Sequence, residues 1–131
     1  MTQEDKQLLL KDLCARLPYG VLISYKDEIR PLFGIEPTQR KVITLDNEIN
    51  GNHNGLEYCL IEEIKPYLRP MSSMTEEEIA KYCELLNPYE EGDETFAFYE
   101  AQDFLNSIHV DYRGLISKGL ALPAPEGMYN I

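Results

Sequence analysis

The stretch "IKPYLRPMSSMTEEEIAKYCELL", Ile64 to Leu86, decides how the chain divides. Pro66 and Pro70 fix their own φ and push the residues before them out of the helical region, so the run between them is stiff and extended. Thr75 followed by Glu78 matches a capping box: the hydroxyl accepts from the third helical N–H and the glutamate reaches back to the cap. Met74 and Ile79 flank the cap at the spacing of a hydrophobic staple. Glu76, Glu77 and Glu78 occupy the first turn, where the helix dipole favours negative charge. Ile79, Tyr82, Cys83 and Leu86 then form an apolar stripe. The reading is a Pro66–Pro70 connector leading into a capped helix, the seam between two halves.

Charge supports that division. The chain has 131 residues and a net charge of −11. Met1 to Arg69 carries 11 acids and 9 bases, whereas Pro70 to Ile131 carries 12 acids and 3 bases. Residues 1–69 are therefore expected to form an N-terminal helix plus a small antiparallel sheet or barrel. Residues 70–131 are expected to form an acidic helical half packed on the first as one compact unit. With 44% hydrophobic and 27% charged residues the chain can bury a core. No apolar run reaches the roughly 20 residues of a membrane span, and the N-terminus is acidic where a secretion signal is basic. A cytoplasmic location is the expectation. Cys14, Cys59 and Cys83 are odd in number and far apart. Cys14 and Cys83 fall on the apolar faces of expected helices, so no disulfide framework is expected.

Leu10, Leu13, Cys14 and Leu17 repeat at helical spacing, and Thr2 can cap that helix. Pro18 and Gly20 stop it. Four β-like segments follow: Val21–Tyr25, Glu28–Ile35, Lys41–Asp46 and Leu56–Ile64. Lys26-Asp27 suits a tight turn, and Asn47–Gly55 a wide loop. Pro31 cannot donate to a ladder, which places it on an edge strand or at a bulge. Short strands joined by turns suggest an α+β protein whose sheet could curl into an SH3-like barrel. Beyond the acidic loop Tyr89–Glu94, a helix is expected over Tyr99–His109. A shorter one runs from the cap Asp111 to Gly119. Leu120–Leu122 is a candidate strand or buried run.

Chemistry is sparse. No GxGxxG, phosphate loop, GxSxG or HExxH pattern occurs. His53 reads as a solvated loop residue and His109 as a helix terminator whose cation the dipole favours. Glu90, Glu91, Asp93 and Glu94 lack EF-hand spacing, so no metal or other cofactor is expected. Tyr67 and Arg69 on the connector, and Tyr112 and Arg113 after it, have the residue types of interface hot spots. The competing reading packs both tyrosines internally and pairs each arginine with an acid. A nucleic-acid surface would have to use Lys26, Arg30, Arg40, Lys41, Lys65 and Arg69, against the acidity of the other half.

Three runs carry a resemblance: "KDLCARLPYGV" (Lys11–Val21), "PYLRPMSSMTEEE" (Pro66–Glu78) and "DYRGLISKGLALPAPEGMYN" (Asp111–Asn130). Over about a third of the chain it resembles a family of small uncharacterised proteins encoded by gut Bacteroidales and their phages or mobile elements. Asn47–Gly55 and Pro123 depart from that pattern. The resemblance implies a mobile-element accessory protein inside a bacterial cell and brings no catalytic residue. The sequence thus favours a non-enzymatic interaction module meeting a basic protein through Glu90, Glu91, Asp93 and Glu94 with Tyr67, Arg69, Tyr112 and Arg113. Nucleic-acid binding through the sheet half is the first alternative. A small-ligand binder or an enzyme whose site only the fold assembles is the second.

Overall fold

Thr2 opens the first helix with a full capping box: its hydroxyl accepts from the Asp5 N–H at 3.1 Å, and the Asp5 carboxylate accepts from the Thr2 N–H at 3.3 Å. A computed structural model describes residues 1–36, 38, 41–45, 56–86 and 94–129. Within them the order is α1 (Gln3–Arg16), β1 (Leu22–Tyr25), β2 (Glu28–Glu36), β3 (Lys41–Leu45), β4 (Leu56–Leu60) and β5 (Ile64–Leu68). Then come α2 (Glu76–Leu86), α3 (Glu94–Ser107) and the two-residue β6 (Leu122–Pro123). The protein is α+β.

The strands form one six-stranded sheet in the order β4-β3-β2-β1-β5-β6, antiparallel except for the parallel β5–β6 pair. The sheet is open, with β4 and β6 at its ends, so the expected barrel is not closed. Lys26 and Asp27 both take positive φ, 51° and 62°, as a two-residue hairpin turn between right-twisted strands requires. The β2–β3 register shifts between Leu32 and Gly34, leaving Phe33 as the extra residue of a bulge. Pro31 sits one residue before that pairing begins, at the bulge rather than on an edge strand.

The Pro66–Pro70 "connector" is itself largely strand. β5 lies inside the sheet, with Pro66 opposite Ile23 of β1 and Tyr67 opposite Leu122 of β6. The proline is tolerated because β6 pairs only from Tyr67 onward, so at Pro66 that side of β5 still has no neighbour. The capping box of α2 forms as expected. Glu78 N–H donates to the Thr75 hydroxyl at 3.1 Å, and Thr75 N–H to the Glu78 carboxylate at 2.9 Å.

Four expectations need correction. The α1 face turned inward is Leu9, Asp12, Leu13 and Arg16, so Cys14 is exposed. No residue of α2 is buried: Ile79 is half exposed and Cys83 exposed. Cys59 is the buried cysteine.

The third and fourth corrections concern the C-terminal half. α3 spans Glu94–Ser107 rather than 99–109 and ends in a Schellman motif, with His109 N–H donating to Asn106 O and Val110 N–H to Leu105 O, both at 3.1 Å. His109 takes the left-handed φ, +61°, that glycine usually takes there. Leu105 and Val110, the apolar pair of that motif, pack with Ile108 in a cluster that Met74, Tyr82, Phe104 and Tyr112 border. No helix follows Asp111. Its two carboxylate oxygens accept the N–H groups of Leu115 and Ile116, each at 2.9 Å, and hold a series of turns that Gly119 closes at φ +74°. The side chain that would cap a helix fixes an irregular segment, which delivers Leu115, Leu120 and Ala121 to the main core on the sheet.

Asp111→Ala should lower stability by about 1–3 kcal/mol, because two N–H groups next to the core lose their acceptor. Asp111→Asn, which keeps one oxygen, should lose less. Urea midpoints of the two variants at neutral pH check this.

Candidate functional site

Four of the residues expected at a partner surface, Tyr67, Arg69, Tyr112 and Arg113, are tied into internal contacts. Arg69 donates from all three side-chain nitrogens. Nη1 and Nη2 grip the Glu78 carboxylate at 2.8 and 2.7 Å, Nη2 also reaches Ser73 O at 3.0 Å, and Nε reaches Ser73 Oγ at 3.3 Å. That grip holds the Glu78 carboxyl down at about 2, with help from the Thr75 backbone. Tyr67 is half-buried, and its carbonyl accepts from the Tyr129 hydroxyl at 2.7 Å. Tyr112 donates to Asn106 Oδ1 at 2.9 Å. Arg113 lies over the Tyr112 ring at 4.6 Å and donates to Asp12 at 2.7 Å. Glu90, Glu91, Asp93, His53, Arg40 and the loop 47–55 lie outside the described residues, and Glu94 marks the first residue of α3.

Asp12 is the centre of a buried polar seam. Its side chain is 0% exposed, as is that of Arg16, whose Nε donates to it at 2.9 Å. Arg16 Nη2 continues to the Val110 carbonyl at 2.7 Å. Next along the seam His109 is buried and stacked on Tyr129, ring centroids 3.9 Å apart. Burial, with the nearby Arg16 cation, lowers the imidazole to about 4, so His109 is neutral at physiological pH and not the helix-end cation the sequence suggested. Tyr129 is pushed up to about 12 by burial, and its hydroxyl also accepts from the Leu22 N–H at 2.9 Å. A cleft of about 530 Å³ opens above Arg69, Ser73, Glu78 and Tyr129. With its Arg69 donors committed to Glu78 and Ser73, that cleft does not present a ready guanidinium to an anion.

The sheet presents a different kind of surface. On β2, Arg30 and Leu32 point inward, while Ile29 and Phe33 are 54% and 57% exposed. On β4, Cys59 points inward, while Leu56, Tyr58 and Leu60 stand 46%, 56% and 47% exposed. Cross-strand partners share a face, and the row Gly34–Ile43–Tyr58 runs across β2, β3 and β4 on this outer side. The bulge adds Phe33 next to Gly34 on the same side.

Beside Leu32, Val42 and Cys59, the strands also turn a charge inward, while large apolar groups stand outward. The inward charge is Arg30, 5% exposed, which Glu57 of β4 meets at 2.5 Å and Glu28 at 2.6 Å, with the Tyr25 ring 5.1 Å away. Fixing Arg30 and Glu57 on the inner face fixes the register of both strands, and a strand's side-chain period of two then sends Ile29, Leu56, Tyr58 and Leu60 outward. The sequence reading passed over these residues. The signal was a charge at Arg30, inside β2, and another at Glu57, the one charge of β4.

Other chemistry is constrained by pairing. Of the bases a nucleic-acid surface would use, Lys26 and Arg30 meet Glu57, and Arg69 meets Glu78. Among the described residues no group of three or more His, Cys, Asp or Glu is placed to hold a metal, and no helix is long and apolar enough to cross a membrane. No family model, curated protein or solved structure matches the chain.

Asp12→Ala should cost about 3–5 kcal/mol in urea unfolding, because Arg16 then stays buried without its counter-ion. Stability should also fall as pH drops from about 6.5 towards about 4. Over that range the unfolded chain takes up a proton on His109 that the folded state refuses, worth up to about 3 kcal/mol. Below it, the Glu78 contribution should be lost as pH falls from about 4.5 to about 2. His109→Asn, which tolerates the left-handed backbone, should flatten the upper limb of a stability-against-pH curve and leave the lower one.

Proposed function

We propose that the chain is a non-enzymatic protein-interaction module whose contact surface is the outer face of β2, β3 and β4. The observation that carries this reading is the outward placement of Ile29, Phe33, Leu56, Tyr58 and Leu60 around Ile43 while Arg30 and Glu57 lie inside. At roughly 200 Å² per large side chain and about half exposure, the five present on the order of 500 Å² of side-chain surface. That is at the upper end for the largest apolar patch of a monomer, where such patches mark interaction sites. The setting we infer is the one the sequence resemblance implies, an accessory protein of a bacterial mobile element acting in the cytoplasm.

In this reading the acidic surface plays a secondary part. It keeps the protein soluble despite the patch and biases encounters towards basic or neutral surfaces. The seam residues Tyr67, Arg69, Tyr112 and Arg113 support the fold beneath it. Nucleic-acid binding is the weaker reading, because phosphate affinity rests on cations and Lys26, Arg30 and Arg69 already face carboxylates.

Pull-down from native lysate with tagged wild type, Tyr58→Lys and Phe33→Lys, quantified by mass spectrometry, tests the surface. Both positions are more than half exposed, so the variants should keep wild-type circular dichroism and urea midpoints. Expected is a protein, the untagged chain included, that wild type enriches and both variants lose. Equal recovery by all three baits would reject this face as the contact.

A further inference from the structure

We infer that the occupant of this face is a second copy of the chain, packed sheet against sheet about a two-fold axis; the inference rests on the interaction reading above and names its partner. The first support is area. A stable interface of standard size buries about 800 Å² per partner, and homodimer interfaces are about 65% apolar. An apolar patch on the order of 500 Å² is the amount such an interface needs at its centre. The second support is charge. The chain carries −11, yet the outer face is not acidic. Glu36 stands directly opposite Lys41 at one end, and the exposed Lys65 lies opposite Ser24, itself opposite Ile29, at another. A basic partner would meet lysines there. A second copy can set Lys41 or Lys65 of one chain near Glu36 of the other, and a two-fold makes each such contact twice.

The third support is shape. Tyr58 and Ile43 occupy one row with Gly34, whose missing side chain leaves room beside Ile43; a Cβ at Gly34 would stand 3.6 Å from Ile43 Cδ1. Phe33, next to Gly34 on β2, and Tyr58, on β4, rise on either side of Ile43. Aromatic groups beside a low point can interdigitate with an identical surface about 10 Å away, the usual separation of packed sheets.

Self-association and docking of a basic partner respond to salt in opposite senses. Two chains of charge −11 repel, so added salt should strengthen dimerisation, whereas it weakens attraction to a basic protein. The test is sedimentation equilibrium of the full chain over a range of concentrations, at about 0.05 M and about 0.5 M salt. Wild type, Tyr58→Phe, Tyr58→Lys and Phe33→Lys are compared, with the lysate pull-down alongside. Expected is a mass of two chains for wild type and Tyr58→Phe, tighter at the higher salt, and a dissociation constant at least about 30-fold weaker in each lysine variant. A wild type that stays monomeric throughout, while a different protein is captured and the lysine variants lose it, would overturn the second copy and keep the interaction reading. A monomer with no variant-sensitive partner would overturn both. A dimer indifferent to Tyr58 and Phe33 would place the contact elsewhere and also reject the inference.

Discussion

One buried carboxylate organises the molecule. Asp12 is shut away from solvent and holds Arg16 from its own helix and Arg113 from the far end of the chain. A buried anion is costly without partners, so wherever Asp12 goes both guanidinium groups must follow. Arg16 then reaches the Val110 carbonyl, which fixes the chain just after α3. One residue on, Arg69 and Asp111 exchange a backbone hydrogen bond, 2.8 Å from the Asp111 N–H to the Arg69 carbonyl, so β5 is locked to the same segment. α1, the sheet and the C-terminal turns thus share one polar seam. Such a network adds little net stability over an apolar core of equal volume. It does penalise every arrangement in which one member lacks its partner, which makes the register specific.

The same physics recurs at the other end of the sheet with a different consequence. Arg30 is drawn inward, and Glu57 follows to neutralise it. Desolvation works to lower the Arg30 guanidinium, but the paired carboxylates outweigh it and hold the group more firmly charged than usual. The alternation of a strand then leaves no choice for Ile29, Leu56, Tyr58 and Leu60. In the seam, inward charge knits the chain to itself. In β2 and β4, the inward charge shares the sheet with apolar side chains left on the surface, and the exposed apolar face is the other side of that alternation.

These two inward charges also mark where the sequence was legible and where it was not. Local rules read well: the Thr75–Glu78 box, the Lys26-Asp27 turn and the strand cores of β1, β2 and β3 depend on neighbours a few residues away. Hydrophobic periodicity misled wherever a charge was buried. In α1 the inward stripe is Leu9, Asp12, Leu13, Arg16 rather than Leu10, Leu13, Cys14, Leu17, a rotation of about 100° that follows from putting Asp12 inside. "LEYCL" reads as a strand, but which of its faces turns inward is settled by partners far along the chain, Arg30 on Glu57 and Val42 beside Cys59. β5 looked like a linker because two prolines argue against an interior strand, and the late start of β6 is a tertiary fact. Asp111 was correctly an N–H acceptor, but a cap does not reveal whether a helix or a string of turns follows it. The candidate site was illegible for a related reason. A contiguous face exists only once β2, β3 and β4 are in register.

An outward apolar face also changes how stability should be understood. The inner core is built from α1, one side of the sheet and the C-terminal turns, while the outer side of β2, β3 and β4 is left in water. If another chain covers that surface, as proposed, part of the hydrophobic free energy of this sequence is realised between molecules and not within one. Folding and association are then linked. A ligand or second copy that binds only the folded sheet adds stability that grows with its concentration. The strands that gain most are those held by the Arg30–Glu57 pair and by the antiparallel ladder from β2 to β4. The register and the exposed face are therefore two views of one arrangement, in which the Arg30–Glu57 pair holds one side of the strands inward and leaves Ile29, Leu56, Tyr58 and Leu60 on the other.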